Sequence, residues 1–169
     1  MRLIDLTHST AQDAAGGETI PVVVRSAEPL DRVPLRRLVT LATVVDVTER
    51  HDGAEVSRAD VAKHGVSDIG GCIVCTGWCD RYLSGERDQA PYFAVDAAGY
   101  LLEGGVRTVA SDFPMTRDAA DLLLHNDCVL VHSLSNTPEL GRVIVTLVAL
   151  PLKLRDAYSA PARVVAIEE

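Results

Sequence analysis

Hydrophobic and polar positions along the chain alternate in short blocks, separated by clusters of Gly, Pro, Asp and Ser. Leu3 to Thr7 alternates weakly and predicts a first strand. Ala11 to Thr19 is small, polar and Gly-containing, hence a loop, and the β-branched run Ile20 to Arg25 predicts a second short strand. Pro29 to Leu38 has the form of a turn leading into a brief helix, with Pro34 near its start, where a fixed φ suits the first turn. Leu41 to Val47 is apolar and closed by polar residues, as a buried strand would be.

Beyond it, Ser57 is an N-cap with Asp60 three residues on, and the helix it opens ends at Gly65. Gly70 to Thr76 predicts the next buried strand, and the polar, turn-rich stretch Ser84 to Pro91 a surface loop. Asp96 to Glu103 has helical character and stops at Gly104-Gly105. Val106 to Ser111 reads as a strand and Asp118 to His125 as a helix with Leu122, Leu123 and Leu124 partly buried. Cys128 to His132 and Arg142 to Leu150 predict two more strands, Pro151-Leu152-Lys153-Leu154 leaves the second, and Ala162 to Ile167 is a terminal strand. Strands and short helices interleave without a strict β-α-β period. The expected architecture is therefore a single α/β domain over 1–169, a mixed β-sheet flanked by short helices.

Length and charge narrow the function. A chain of 169 residues can bury roughly 70% of its unfolded surface, enough for a sizeable core. Acidic residues outnumber basic ones by 24 to 16, and no basic cluster in the sequence exceeds the pair Arg36-Arg37. Nucleic acid and anionic membranes, which both require a basic face, are excluded as expected partners. The opening Met1 to His8 turns polar too soon for a signal peptide, and no apolar run reaches the ~18 residues of a membrane span, so the expected location is the cytoplasm. Fourteen of the sixteen basic residues are Arg, a bias expected of a GC-rich bacterial genome. Cys72, Cys75, Cys79 and Cys128 form no disulfide framework. Cys72 and Cys75 are three apart on a strand and would point to opposite faces, so buried structural thiols are expected, with Cys75 the best placed for any other role.

Several segments together resemble the metal-dependent cyclase family, the group that includes bacterial kynurenine formamidases. Ile73-Val74-Cys75-Thr76-Gly77-Trp78 is similar to its TGW strand and turn, and Ile4-Asp5-Leu6-Thr7-His8 to its opening strand. The order is kept by Leu30 to Leu38 with Thr43 to Val47, by Val56 to Val61, and by Pro91-Tyr92-Phe93 leading to Ala97 to Leu101. Gly105 to Asp112 continues the series, and Leu150 to Leu154 with Ala160 to Ile167 is its most specific match. The resemblance implies a swivelling β/β/α fold, a small-molecule substrate, and a homodimer or larger homo-oligomer with the pocket near the subunit interface.

The family's metal-binding run, H-x-G-T-H-x-D-x-P-x-H, is missing. The interval where it belongs, Ser9 to Pro29, contains no His and a single Asp. Of the later ligands, the alignment puts His132 where the family has a Glu, and Ala120 or Asp121 where it has a helical His; a second register would retain His125. A remnant metal site from His8, His125, His132 and Asp112 is the alternative, but the expectation is no metal and no cofactor. Without metal-activated water, hydrolysis of amide or lactone by the family mechanism is unexpected, and no G-x-S-x-G elbow replaces it.

What remains is general acid–base catalysis on a small carbonyl-containing metabolite, by cyclisation, dehydration or isomerisation. His132 is the expected acid–base and Asp112 its catalytic companion. Trp78, Thr76, His8, Ser133 and Cys75 are the expected substrate contacts. Three alternatives stand beside this reading: structural roles for these residues, a non-catalytic ligand-binding or partner subunit, and a metal-dependent hydrolase.

Overall fold

Runs of β-branched and small apolar residues form four parallel strands side by side, β3 (Val39–Asp46), β5 (Gly71–Cys75), β7 (Thr108–Ser111) and β8 (Val129–His132). This arrangement is seen in a computed structural model of the chain, which describes residues 1–9, 22–49, 53–66, 69–86 and 89–169. β2 (Val23–Arg25) adds antiparallel to β8, and β10 (Ser159–Glu168) antiparallel to β2. β9 (Ile144–Pro151) joins β10 on one side and β3 on the other, so the mixed sheet closes into a seven-stranded barrel. β10 is long enough to pair with β2 at its start and with β1 (Arg2–Asp5) along its second half. Closure leaves β1 outside the ring as a short flap.

The helices lie over the parallel half. α2 (Arg58–Ala62), α3 (Trp78–Leu83), α4 (Val95–Glu103) and α5 (Arg117–His125) cover it, while the four-residue α1 (Leu35–Leu38) leads directly into β3. The result is two cores, one inside the barrel and one between barrel and helices. β5, buried along its whole length, shows the division: Cys72 and Val74 face the helices, Ile73 and Cys75 the barrel interior. The opposite orientation of the two cysteines follows from their odd spacing.

Expected elements recur with shifted ends. The strand expected over Leu3 to Thr7 stops at Asp5, and of Ile20 to Arg25 the described part is strand from Val23. The loop expected over Ala11 to Thr19 lies outside the described residues. Ser57 caps α2 as expected, with the reciprocal Ser57–Asp60 capping box. Two features were not foreseen. α3 begins after Gly77, whose φ of +70° makes it a left-handed N-cap without a side-chain hydrogen bond, so the usual Ser/Thr/Asp start signal is absent. Glu55–Val56 (β4) pairs with Tyr92–Phe93 (β6), a two-residue ladder too short to carry a period. Among the described residues no helix is long and apolar enough to cross a membrane.

Candidate functional site

Because β3, β5, β7 and β8 are parallel, their C-terminal ends meet at one end of the barrel, where open α/β sheets commonly bind ligands. That end carries Cys75-Thr76 after β5, Asp112 after β7, and His132-Ser133 at the end of β8. They separate into two environments, a sealed hydrogen-bonded knot and an open cleft.

Asp112 is the centre of the knot. Its side chain has no solvent exposure. One carboxylate oxygen accepts from the Thr76 hydroxyl (2.7 Å) and the other from Gly77 N–H (2.5 Å) and the Thr137 hydroxyl (2.6 Å), with Thr76 N–H reaching both at 2.8 and 3.0 Å. Thr76 Oγ1 also accepts from Trp78 N–H at 3.2 Å. The knot thus ties the β5–α3 turn to the end of β7 and to the 3-10 turn Thr137–Glu139. Burial pushes the Asp112 carboxyl above its usual range, against the pull of Thr137, Thr76 and Gly77, which all donate to the charged form.

Asp112, expected as a catalytic group, thus lies inside the knot, buried with four donors in place, and not among the residues that line the cleft. The same holds for the expected substrate contacts Thr76, Trp78 and Cys75. Thr76 is buried within the knot, and Trp78 is buried in the helix-side core with its ring 4.9 Å from that of Tyr82. Cys75 faces the barrel interior, where burial and then the nearby Asp112 and Asp46 carboxylates push its thiol well above the ordinary value. Burial likewise pushes Cys72 and Cys79 up to about 12, so none of these three offers a thiolate at neutral pH.

His132 and Ser133 lie in the cleft. On β8, Leu130 and His132 point to the helix side; Leu130 is covered by the helices, whereas His132, two residues on, reaches the floor of a cavity of about 630 Å³. Val23 pairs with His132 and Arg25 with Leu130, so Val23 and Arg25 share that outer face and form one wall. Pro114, Met115 and one face of α5, with Arg117, Ala120 and Asp121 at helical spacing, form the other. Arg117 and Asp121 pair at 3.7 Å, whereas Arg25 makes no hydrogen bond or ion pair among the described residues.

His132 Nδ1 is buried and has no hydrogen-bond partner among the described residues. Burial, and secondarily the charge of Arg25, bring the His132 pKa down to about 4, so the imidazole is neutral at physiological pH. Ser133 follows in the left-handed region (φ +65°), uncommon for a residue with a side chain, and its carbonyl accepts a weak bond from Cys79 Sγ at 3.8 Å. The cavity is of a size suited to a small molecule.

His8 and His125 stand apart. His8 lines a separate cavity of about 400 Å³ with Thr7, Leu152 and Arg163, so it does not join His132. His125 is on the exposed side of α5, its Nδ1 at 2.6 Å from the Asp121 carbonyl. Among the described residues no group of three or more His, Cys, Asp or Glu is placed to hold a metal ion. Of residues 10–21, only Asp13 and Glu18 are potential donors of that kind. Among the described residues, His8, His125, His132 and Asp112 do not fit the metal of the family motif, because a stable site takes three or four converging donors and these four lie apart.

Arg25, Arg117, Asp121 and Met115 were not foreseen as site residues. Arg25 left one signal, a charge ending a β-branched run, but its meaning depends on a pairing register that the sequence does not reveal.

Over residues 4–131 the chain matches the model of the family described as "Putative cyclase". None of the curated proteins matches it. Isatin hydrolase A from Labrenzia aggregata, bound to benzyl benzoate, has the same fold with a TM-score of 0.82 at 18% identity, over 99% of this chain and 94% of that one. Isatin hydrolase A from Ralstonia solanacearum aligns with a TM-score of 0.75 at 17% identity, over 99% and 92% of the two chains. A predicted metal-dependent hydrolase from Bacillus stearothermophilus aligns with a TM-score of 0.71 at 20% identity, over 98% and 85%. At such identities the likeness is one of fold.

Proposed function

The chain belongs to the cyclase family, and on that footing we propose that it transforms a small carbonyl-containing metabolite in the β8–α5 cleft by metal-free acid–base catalysis. The observation that carries this reading is the Nδ1 of His132, unpartnered among the described residues, in the lining of the cavity of about 630 Å³. A buried polar atom without a partner is costly, and such groups persist where a ligand supplies the missing bond.

A neutral imidazole can take a proton from a substrate carbon or oxygen and return it to the departing or neighbouring oxygen. Isomerisation, dehydration and intramolecular addition need no other electron source. A pKa near 4 makes His132 a weak base in the empty cleft. An anionic substrate beside Arg25 would offset the arginine's charge and raise the basicity of the imidazole on binding. Ser133 and Arg25 would orient the carbonyl, and Met115 and Ala120 would supply apolar contact. We propose further that the chain assembles as a homo-oligomer.

The test combines elemental analysis with turnover. Purified protein grown with zinc and manganese should carry well below one metal equivalent per chain. Turnover of a panel that includes isatin, for which two structural neighbours are named, with lactones and hydroxy acids, should survive chelator and fall at least ~100-fold in His132→Gln. Stoichiometric metal whose removal abolishes turnover would defeat the proposal and return a metal-dependent hydrolase. A second reading, a non-catalytic binding subunit, is favoured by the sealing of Asp112 and Trp78 away from the cleft; it predicts ligand binding that His132→Gln weakens, with no turnover.

A further inference from the structure

At the opposite end of the barrel, the N-terminal ends of the parallel strands enclose a second cavity of about 230 Å³. It is lined by Arg36, Arg37, Thr40, Gly70, Arg107 and Thr108. The sequence brings only Arg36 and Arg37 together; the fold adds Arg107, at the start of β7. Three arginines thus line one cavity in a chain of net charge −8.

The groups around the cavity leave it rich in donors and poor in acceptors. Arg37 Nη1 donates to the Asp127 carbonyl at 2.6 Å and lies 3.6 Å from the Glu28 carboxylate. Arg107 Nη1 donates to the Val106 carbonyl at 2.7 Å. Arg36 is exposed and has no hydrogen bond or ion pair among the described residues. Each guanidinium has five N–H donors, so most remain uncommitted. The Gly70 carbonyl is already used as an acceptor, and both lining threonine hydroxyls donate to backbone carbonyls. Gly70 C=O accepts from Arg107 and Thr108 N–H, and the Thr108 hydroxyl donates to the Arg37 carbonyl at 2.7 Å. Among the described residues the carboxylate paired with these arginines is that of Glu28, which stands 3.6 Å from Arg37 alone.

The frame is held in place. Thr108 Oγ1 pins the end of α1 to β7, and Arg37 reaches the loop before β8, so the arginines sit on tethered backbone. A side chain at Gly70 would place its Cβ 2.6 Å from Thr40 Oγ1, so the floor has no room for one. A four-residue helix has too small a dipole to require two arginines at its end. What matches the arrangement is a tetrahedral dianion whose oxygens accept several N–H forks at once.

We propose that the Arg36–Arg37–Arg107 cavity binds a phosphate group, free or as a small phosphate monoester. The site is separate from the His132 cleft and does not depend on what happens there. Calorimetric titration of the full chain with inorganic phosphate and with glycerol phosphate, at fixed ionic strength and pH 7.5, tests it. Saturable binding of either is expected, at least ~10-fold tighter than acetate, with Arg36→Ala and Arg107→Ala each weakening it ~10-fold or more. Arg25→Ala, in the other cleft, should leave phosphate affinity unchanged. Tighter binding of one ligand than the other identifies the source and supports the site either way. Absence of binding by both, affinity for acetate equal to that for phosphate, or loss of binding in Arg25→Ala but not Arg36→Ala would overturn it. Should Arg107→Ala fail to fold, Arg36→Ala and Arg36→Glu decide alone, because Arg36 is exposed and supports no contact.

Discussion

Replacing Asp112 by Asn keeps the size and polarity of the side chain but turns one acceptor oxygen into an NH2 donor, in a knot where the four partner groups all donate. At least one buried donor is then left facing another, so Asp112→Asn should cost about 2–4 kcal/mol, read as a lower urea midpoint. Thr137→Val removes one donor from the same knot and should cost about 1–2 kcal/mol. An Asp112→Asn protein of native stability would show that the carboxylate is not the structural tie described above. His132 makes a different prediction. Its pKa falls from 6.5 to about 4 on folding, so between those values the unfolded chain binds more protons than the folded one. The stability concerned is complete above pH 6.5 and is lost as the pH falls toward 4, by up to about 3 kcal/mol. Arg25, Arg117 and Asp121 line the same cleft, and Arg25 contributes to the shift. Denaturant titrations at pH 7 and pH 4.5 should show a smaller acid loss in His132→Gln than in the parent; equal losses would mean that the imidazole stays protonated in the fold.

Elements with a physical start or stop signal were legible in the chain, and those without one were not. Ser57 and Asp60 announced α2, and the structure closes both halves of their capping box, with Asp60 Oδ2 accepting from Ser57 N–H at 3.0 Å. Ser57→Ala should therefore destabilise the protein by about 1 kcal/mol, while Ser57→Asp, which can still cap, should recover most of the loss in a thermal melt. No recovery would mean that Ser57 acts through some contact other than the cap. α4 and α5 were legible to within a residue at their starts, Val95 against Asp96 and Arg117 against Asp118, because Gly104 and the apolar spacing bound them. α3 was invisible, since its N-cap Gly77 carries no side-chain signal. The site was half legible. Periodicity and resemblance led to His132 and Ser133 at the end of β8, but in the sequence alone Asp112 looks the same whether it faces a cleft or a knot. Which it faces depends on Thr137, 25 residues away. Arg25 and Arg117 meet only through the β2–β8 register and the placement of α5, neither of which local pattern encodes.

For the whole molecule, barrel closure decides what is left uncovered. The helices shield the parallel half, Val45 of β3 included, while β1, β9, the second half of β10 and the start of β3 keep outward-facing residues exposed or half-buried. Strand register aligns two rows there, Leu3–Ile167–Thr146–Leu41 and Asp5–Val165–Val148–Val39. Leu3 and Leu41, at 61% and 55% exposure, mark the two ends of the first row, and Asp5, paired with Arg163 at 2.6 Å, ends the second. An exposed apolar sheet surface suits contact with a second copy, and one related by a two-fold axis would bury both rows at once. Light scattering at micromolar concentration should give a mass of at least two chains, and Leu41→Glu should shift it to one while leaving the circular dichroism spectrum unchanged. A monomeric parent would leave the face without that occupant. A dimer indifferent to Leu41→Glu would place the contact elsewhere on the barrel. The face is built on β3, β9 and the second half of β10, whereas the His132 cleft borders β2 and β8, and β2 meets β10 only at its start. Dissociation by Leu41→Glu should accordingly leave ligand affinity in the cleft within about twofold of the parent, because mutations that share no partners act nearly independently.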